Sequence, residues 1–178
     1  MISETSQSDP ENDRSNSLSE QVLRSGFDVV TGVPDSPLAA LASSLERTPE
    51  RYFPGTREDA CVAWAAGAQL AGRTPLVFMK SAGFANCLDS LTSLVEVYRI
   101  PMVLLISWAG HAGRDVPHHN VIGEPLEALL DALGIPVRTA RMDDPRAVGD
   151  ALATALLLSR ERRGAAVVLG IPEGLAAA

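Results

Sequence analysis

The hydrophobic positions of this chain fall into short continuous runs separated by longer segments with helical spacing. Six runs have the length and composition of strands: residues 27–31, 51–54, 75–79, 102–107, 137–140 and 165–169. Amphipathic segments lie between them, at residues 19–23, 37–47, 58–72, 84–98, 125–133 and 145–162. Apolar strands alternating with such helices are typical of a parallel sheet covered on both faces. The pattern predicts an α/β fold, a single three-layer, doubly wound domain with a mostly parallel sheet of about six strands.

Composition narrows the classes of function. Residues 1–16 are polar and aperiodic, which predicts a disordered tail ahead of one domain over 17–178. A net charge of −7 argues against nucleic acid and anionic membranes as partners. No apolar run has the length of a membrane span and no signal peptide is visible, so we expect a cytoplasmic protein. Cys61 and Cys87 are expected to be buried free thiols.

The polar residues best suited to chemistry follow the predicted strands. Turns after the first four strands carry Asp35, Glu58, the segment from Lys80 to Asn86, and a loop with His111, His118 and His119. Ligands of doubly wound sheets bind at the carboxyl ends of the strands. We therefore expect these groups to converge on one site at that edge.

Glu58 opens a helix rich in small residues, Thr56 to Gly67. It lies one turn before Val62 and two turns before Ala65, so it shares their apolar stripe. A carboxylate on an apolar surface suits proton chemistry, although a first-turn glutamate can also merely complement the helix dipole. This segment alone leaves both interpretations open.

Several familiar sites find no support. The first strand is not followed by GxGxxG, and no GxxxxGK[ST] is present. The order Ser81, Asp115, His118 is that of a hydrolase triad, but the first glycine of GxSxG is missing. Ser81 is predicted instead to cap a helix, and Gly83 to allow close approach of the backbone. Cys87 is a weak candidate nucleophile. The three histidines lack a completing carboxylate, so no metal ligands are assigned to this chain.

Four strings stand out at the predicted strand ends: Thr-Gly-Val-Pro-Asp-Ser (31–36), Met-Lys-Ser-Ala-Gly-Phe-Ala-Asn (79–86), the stretch 93–110 that ends in Ile-Ser-Trp-Ala-Gly, and Pro-His-His (117–119). Together they resemble thiamine diphosphate-dependent decarboxylases, and most closely the phosphonopyruvate and sulfopyruvate decarboxylases. The resemblance covers about residues 18–175. It implies the pyrimidine-binding domain of such an enzyme, as found in an α subunit.

The resemblance also implies roles for individual residues. Glu58 would hydrogen-bond the aminopyrimidine of thiamine diphosphate and promote its imino form. The groups implied to manage protons with it are Asp35, His118 and His119. The remaining cofactor-binding positions are Pro34, Ser81, Gly83 and Asn86.

The substrate implied is phosphonopyruvate or sulfopyruvate, but the chain departs from the family at two places. It has Lys80-Ser81-Ala82-Gly83 where the family usually reads Gln-Asn-Ser-Gly, and Ala109 where the family usually has Arg. An arginine would bind an anionic phosphonate or sulfonate. Lys80 or Arg114 would have to supply that charge, with Ser81 and Trp108 as the other substrate contacts.

The family binds the diphosphate through Mg²⁺ with a Gly-Asp-Gly motif, which is not found in this sequence. The resemblance therefore implies a separate β subunit that carries the diphosphate-binding domain and most of the Mg²⁺ site, in an α2β2 or larger assembly. Two alternatives stay open. One is a carboligase subunit acting on another 2-oxo acid, and the other is a non-catalytic assembly or regulatory subunit.

Overall fold

The computed structural model describes residues 18–173 and contains one six-stranded, wholly parallel sheet. The predicted tail over 1–16 lies outside these residues. The strands are β1 Val29–Gly32, β2 Tyr52–Pro54, β3 Pro75–Lys80, β4 Met102–Ser107, β5 Val137–Arg141 and β6 Ala165–Ile171. They run in the order β2-β1-β3-β4-β6-β5. The α/β prediction with about six strands is confirmed.

Helices connect every pair of consecutive strands. They are α1 at residues 18–24, α2 Ala39–Leu45, α3 Glu58–Leu70, α4 Ser81–Phe84, α5 Pro117–Gly123, α6 Leu126–Ala132 and α7 Pro145–Arg162. Short 3-10 helices lie at Ser36–Leu38, Ala85–Cys87 and His111–Gly113, and a π-helix at Ser90–Glu96. Among residues 18–173 we find no helix that is both long enough and apolar enough to cross a membrane.

Burial separates the centre of the sheet from its edges. All residues of β4 and β6 are buried, whereas the edge strands β2 and β5 expose several of theirs. Successive side chains of β4 enter opposite cores: Leu104 packs with α3 and α6, and Leu105 packs with α1, α2 and α7. Each fully buried leucine contributes roughly 1.5–3 kcal/mol of apolar burial. Two cores on one sheet make the three predicted layers.

The strand order creates a switch point between β1 and β3. The chain leaves β1 for the outer strand β2 and then returns to the other side of β1 as β3. At the carboxyl edge, Gly32 of β1 is paired with Phe78 of β3, and Lys80 of β3 is paired with Ser107 of β4. Ligands of doubly wound sheets bind beside such a switch point. The turns that follow β1, β3 and β4 therefore surround one cleft.

Two local predictions differ from the structure. The helix predicted over 84–98 begins at Ser81 and passes through 3-10 and π segments. The loop predicted after β4 contains helix α5, which begins with Pro117 at its first turn after an extended Val116. Proline is well suited to a first helical turn because it needs no partner for a backbone N–H.

Candidate active site at the carboxyl edge of the sheet

Glu58 is the first residue of α3 and faces the turn that follows β3. Val62 and Ala65, one and two turns further along, are fully buried, so Glu58 continues the helix stripe that packs on the protein. Its Oε2 atom accepts a hydrogen bond from Asn86 Nδ2 at 3.1 Å. One carboxylate oxygen is thus held in place at the mouth of the cleft.

Gly83 lies against the Glu58 side chain. A Cβ atom built at Gly83 would overlap Oε1, Cδ and Cγ of Glu58. The backbone of Gly83 is helical and needs no positive φ, so the reason for a glycine here is the close approach of the glutamate. The sequence-based expectation that Gly83 permits a close approach is confirmed, and its neighbour is Glu58.

The next carboxylate, Asp59, has a different environment. It forms a two-armed ion pair with Arg57, with distances of 2.8 and 3.0 Å, and the guanidinium lowers the pKa of Asp59. Exposed pairs of this kind contribute little to stability. Of the two adjacent acids at the start of α3, Asp59 is therefore paired with Arg57 at the surface, and Glu58 lies at the cleft.

Asp35 lies in the turn after β1 and has both carboxylate oxygens occupied. Oδ1 accepts a hydrogen bond from the backbone N–H of Leu38 at 3.0 Å, and Oδ2 accepts one from the hydroxyl of Ser107. Burial raises the pKa of Asp35, and the bonds from Ser107 and Leu38 and the charge of Lys80 oppose that rise in decreasing order. A partly buried carboxyl with a raised pKa is well suited to holding or releasing a proton.

Ser107 was not predicted as a site residue. It is the last residue of β4 and is fully buried, and it lies 72 residues from Asp35 along the chain. The only local signal was a polar residue at the end of an otherwise apolar strand. Pro34 is exposed beside Asp35, and Lys80 is partly buried at the end of β3.

The predicted histidine pair begins α5. His119 Nδ1 lies 3.0 Å from Asp115 Oδ1, although the ring N–H is not aligned as in a hydrogen bond, and the His118 and His119 rings meet edge to face at 4.3 Å. The contact with His119 and then the backbone N–H of Val116 lower the pKa of Asp115 to about 2. Asp115 also accepts the backbone N–H of Gly110 at 3.0 Å. Asp115 therefore ties the histidine pair to the loop after β4.

Two glycines let α5 pack against the end of β4. A Cβ at Gly110 would overlap the carbonyl of His119, and a Cβ at Gly123 would overlap the carbonyl of Ala109. Trp108, predicted as a substrate contact, is buried and donates its indole N–H to the Gly123 carbonyl at 2.7 Å. The structure places Trp108 beneath the site, where it supports α5.

The prediction that Ser81 caps a helix is wrong. Ser81 is itself the first helical residue, and Lys80 takes the cap position without a side-chain bond. The Ser81 hydroxyl is fully buried and donates a hydrogen bond to the Ala109 carbonyl at 2.9 Å. This bond joins the turn after β3 to the turn after β4.

The other candidate residues lie around this edge. Arg114 is exposed in the loop before α5, and Asn86 is exposed beside Glu58. His111 is buried against the Trp108 ring at 4.2 Å, and its two ring nitrogens have no hydrogen-bond partner among the described residues. Within residues 18–173 there is no group of three histidine, cysteine or acidic side chains placed to hold a metal.

Cys61 and Cys87 are both buried and free, as expected from the sequence. Burial raises the pKa of Cys87 to about 12, which keeps its thiol protonated and unreactive at neutral pH.

Comparison with known proteins agrees with this architecture. The chain is 30% identical over 131 residues to the sulfopyruvate decarboxylase subunit alpha of Methanococcus maripaludis, covering 73% of this chain and 78% of that subunit. It is 37% identical over 108 residues to the phosphonopyruvate decarboxylase of Streptomyces viridochromogenes, covering 60% of this chain and 27% of that enzyme.

A solved structure shares the fold. It is the 2-oxoglutarate:ferredoxin oxidoreductase of Magnetococcus marinus, with a TM-score of 0.68 and 15% sequence identity over 89% of this chain and 28% of that chain. The model of the thiamine pyrophosphate enzyme N-terminal TPP binding domain matches residues 14–135. With the carboxyl-edge cleft and its opposed Glu58 and Gly83, this match shows that the chain belongs to the thiamine pyrophosphate enzyme family, as its N-terminal TPP binding domain.

Proposed function

We propose that this chain is the α subunit of a two-subunit, thiamine diphosphate-dependent 2-oxo-acid decarboxylase of the sulfopyruvate or phosphonopyruvate type. The observation that carries the proposal is the glutamate at the cleft mouth, held by Asn86 and fitted against Gly83. Several relatives are named as sulfopyruvate or phosphonopyruvate decarboxylases, and three of them, including those from Methanococcus maripaludis and Methanocaldococcus jannaschii, are called subunit alpha.

The residues at the edge fit a flat aromatic cofactor ring with a nitrogen to protonate. Asn86 holds Oε2 of Glu58, and the absent side chain of Gly83 leaves the carboxylate room beside the turn after β3. Glu58, Asn86, Gly83 and Pro34 are the residues we assign to the cofactor. When bound, thiamine diphosphate supplies the electron sink that a 2-oxo acid needs in order to lose CO2.

Ser81, which the sequence suggested as a contact to cofactor and substrate, is fully buried. Its hydroxyl donates a hydrogen bond to the Ala109 carbonyl. We therefore assign it to the support of the cleft wall, together with the buried Trp108.

Proton handling belongs to the chain's own acids and imidazoles. With the cofactor bound, Glu58 would exchange a proton at its carboxylate with the aminopyrimidine. Asp35, with its raised pKa, and the His118–His119 pair would hold or release protons for the substrate. Proton transfer by a positioned side chain contributes typically 10²–10⁴-fold to a rate.

Lys80 is our candidate for the anionic group of the substrate. It lies at the end of β3, its charge already acts on Asp35, and it is partly buried where it can face the cleft. Arg114, which is exposed in the loop before α5, is the other candidate. Because the chain has Ala109 where the family usually has arginine, one of these two cations would have to bind the phosphonate or sulfonate of the substrate.

A partner subunit completes the proposal. The sequence carries no Gly-Asp-Gly motif, so the diphosphate and its Mg²⁺ are assigned to a β subunit in an α2β2 or larger assembly. The outward face of α3 supports such a contact, because Ala60, Ala63 and Gly67 are small and Trp64 is 64% exposed. Shallow grooves of about 180 and 270 Å³ flank Trp64. Exposed apolar surface of this kind marks interaction sites.

The test is reconstitution. The chain is to be co-purified with a partner that carries Gly-Asp-Gly and a downstream asparagine, loaded with thiamine diphosphate and Mg²⁺, and assayed for CO2 release from a panel of anionic and neutral 2-oxo acids. Release of CO2 with an aldehyde product supports the proposal. A ketol product makes the complex a carboligase instead, and no turnover of any acid removes the decarboxylase assignment.

A further inference from the structure

The carboxyl of Asp35 is held from two sides by groups with different hydrogen-bonding capacity. Leu38 offers a backbone N–H, which can only donate. Ser107 offers a hydroxyl, which can donate to a carboxylate or accept from a carboxylic acid. A proton on Asp35 is therefore best accommodated on Oδ2, the oxygen that faces Ser107.

Ser107 is itself fixed by the fold. It ends β4 between Lys80 of β3 and Gly170 of β6, it is fully buried, and β4 is one of the two central strands of the sheet. Because it is fully buried, the Ser107 hydroxyl cannot turn to solvent for a partner in place of Asp35. A buried oxygen left without a partner is costly, so the two side chains are committed to each other.

We propose that Ser107 is a positioning residue for Asp35. The Ser107 hydroxyl supports the Asp35 carboxyl in both its ionised and its protonated form. In the ionised form the Ser107 O–H donates to Oδ2. In the protonated form the Oδ2–H donates to Ser107 Oγ, after a rotation of the hydroxyl alone. The inference rests on the proposed function for the use of that proton, but the pairing itself does not depend on it.

The surrounding charges agree with this role. Burial favours the neutral form of Asp35, while the Ser107 bond is the largest influence favouring the ionised form. Lys80 is the charged side chain whose field acts on Asp35, and it also favours the ionised form. Ser107 is therefore the single residue that most strongly sets how readily Asp35 gives up a proton.

The first experiment is a titration of the full chain labelled with ¹³C at aspartate carboxyls, with the Asp35 signal assigned from Asp35→Asn. Ser107→Ala should raise the pKa of Asp35, because the bond that it removes from the ionised form is charge-assisted and stronger than the bond that it removes from the protonated form. Ser107→Cys, which keeps a weak donor, should raise it less. Ser159→Ala is the matched control, since Ser159 is a fully buried serine of α7 that donates to a backbone carbonyl. An Asp35 pKa that does not rise in Ser107→Ala overturns the proposal.

The second experiment uses the complex with its partner, cofactor and Mg²⁺. Ser107→Ala should lower kcat about tenfold, the size of one lost hydrogen bond to a charged group, and shift the pH profile of kcat with little change in KM. Ser159→Ala should leave all three unchanged. A raised pKa in the chain without any turnover by the complex removes the proposed function and keeps the pairing. Normal kcat and pH profile in Ser107→Ala remove the positioning role and keep the function.

Discussion

Asn86 Nδ2 lies 3.1 Å from Oε2 of Glu58 and donates a hydrogen bond to it across 28 residues of chain. The two side chains come from different helical segments, α3 and the 3-10 helix Ala85–Cys87. Packing of both segments on the same face of the sheet brings them together. The orientation of Glu58 is thus set by a contact between distant segments of the chain. A glutamate that only complemented the helix dipole would need no such contact.

Glu58→Gln should leave the fold intact and lower the rate of the reconstituted enzyme by about 10²- to 10⁴-fold, since an amide cannot exchange the proton. The measurements are circular dichroism of the chain and kcat of the complex. Asp59→Asn is the control, because Asp59 is an acid of the same helix turn paired with Arg57 at the surface. Near-normal rates in Glu58→Gln, or an equal loss in Asp59→Asn, would show that Glu58 is only a helix-terminus charge.

Gly83→Ala and Gly67→Ala should change stability in opposite directions, although both glycines are helical. A Cβ at Gly83 overlaps Glu58, so the substitution should destabilise by about 1–3 kcal/mol. A Cβ at Gly67 meets nothing within 4 Å, so alanine should stabilise α3 by about 0.5–1 kcal/mol through helix propensity. Urea unfolding of the isolated chain measures both free energies. Stabilisation by Gly83→Ala would mean that Glu58 does not lie against this turn in solution.

Asp35 should make the chain less stable as the pH rises. Its pKa in the folded chain is raised above the ordinary value of 3.8, so the folded state holds the proton more tightly than the unfolded state. Its contribution is fully present below pH 3.8 and is lost as the pH passes upward through the folded pKa. Asp35→Asn lacks this titration, so the stability of the wild type relative to the variant should fall across that window. Urea unfolding of both proteins at a series of pH values measures this change. If the free energy of unfolding of the wild type rises with pH relative to that of Asp35→Asn, the prediction is contradicted.

Asp115 should behave in the opposite way. Its pKa is lowered from 3.8 to about 2 by His119 and the Val116 N–H, so its contribution is present above about pH 4 and is lost as the pH falls to about 2. Asp115→Asn should destabilise the chain by less than about 1 kcal/mol at pH 7, because the side chain is partly exposed. Unfolding curves of both proteins should converge between pH 4 and pH 2. Curves that stay parallel would place Asp115 outside the His119 contact.

The sequence predicted those features that depend on short-range patterns. The strands β4 and β6 were recognisable because every residue is buried, and the inward position of Glu58 followed from its helical spacing to Val62 and Ala65. Convergence of the strand ends followed from the parallel topology alone. The predicted roles of Glu58, Asp35, His118 and His119 stay predictions.

What the sequence missed depends on contacts between distant residues. The Ser107–Asp35 bond spans 72 residues, and the Ser81–Ala109 bond, which makes the cap prediction wrong, spans 28. Helix α5 was missed because it is only seven residues long and packs through the close approach of Gly110 and Gly123 to neighbouring carbonyls, which leaves no local periodicity in the sequence. Hydrogen-bond partners chosen by tertiary packing cannot be found from a single sequence.

Trp64 should be required for assembly with the proposed β subunit and not for folding of this chain. Its ring is 64% exposed and contacts Phe53 edge to face at 5.9 Å, on the outward side of α3. Trp64→Lys places a charge on that face, where a partner would have to desolvate it, and should weaken assembly by at least tenfold. The matched control is Leu157→Lys, which is 61% exposed on α7 at the opposite face of the sheet. Sedimentation of the mixed subunits measures the association, and circular dichroism measures the fold. If Leu157→Lys disrupts assembly while Trp64→Lys does not, the partner binds the other face of the domain.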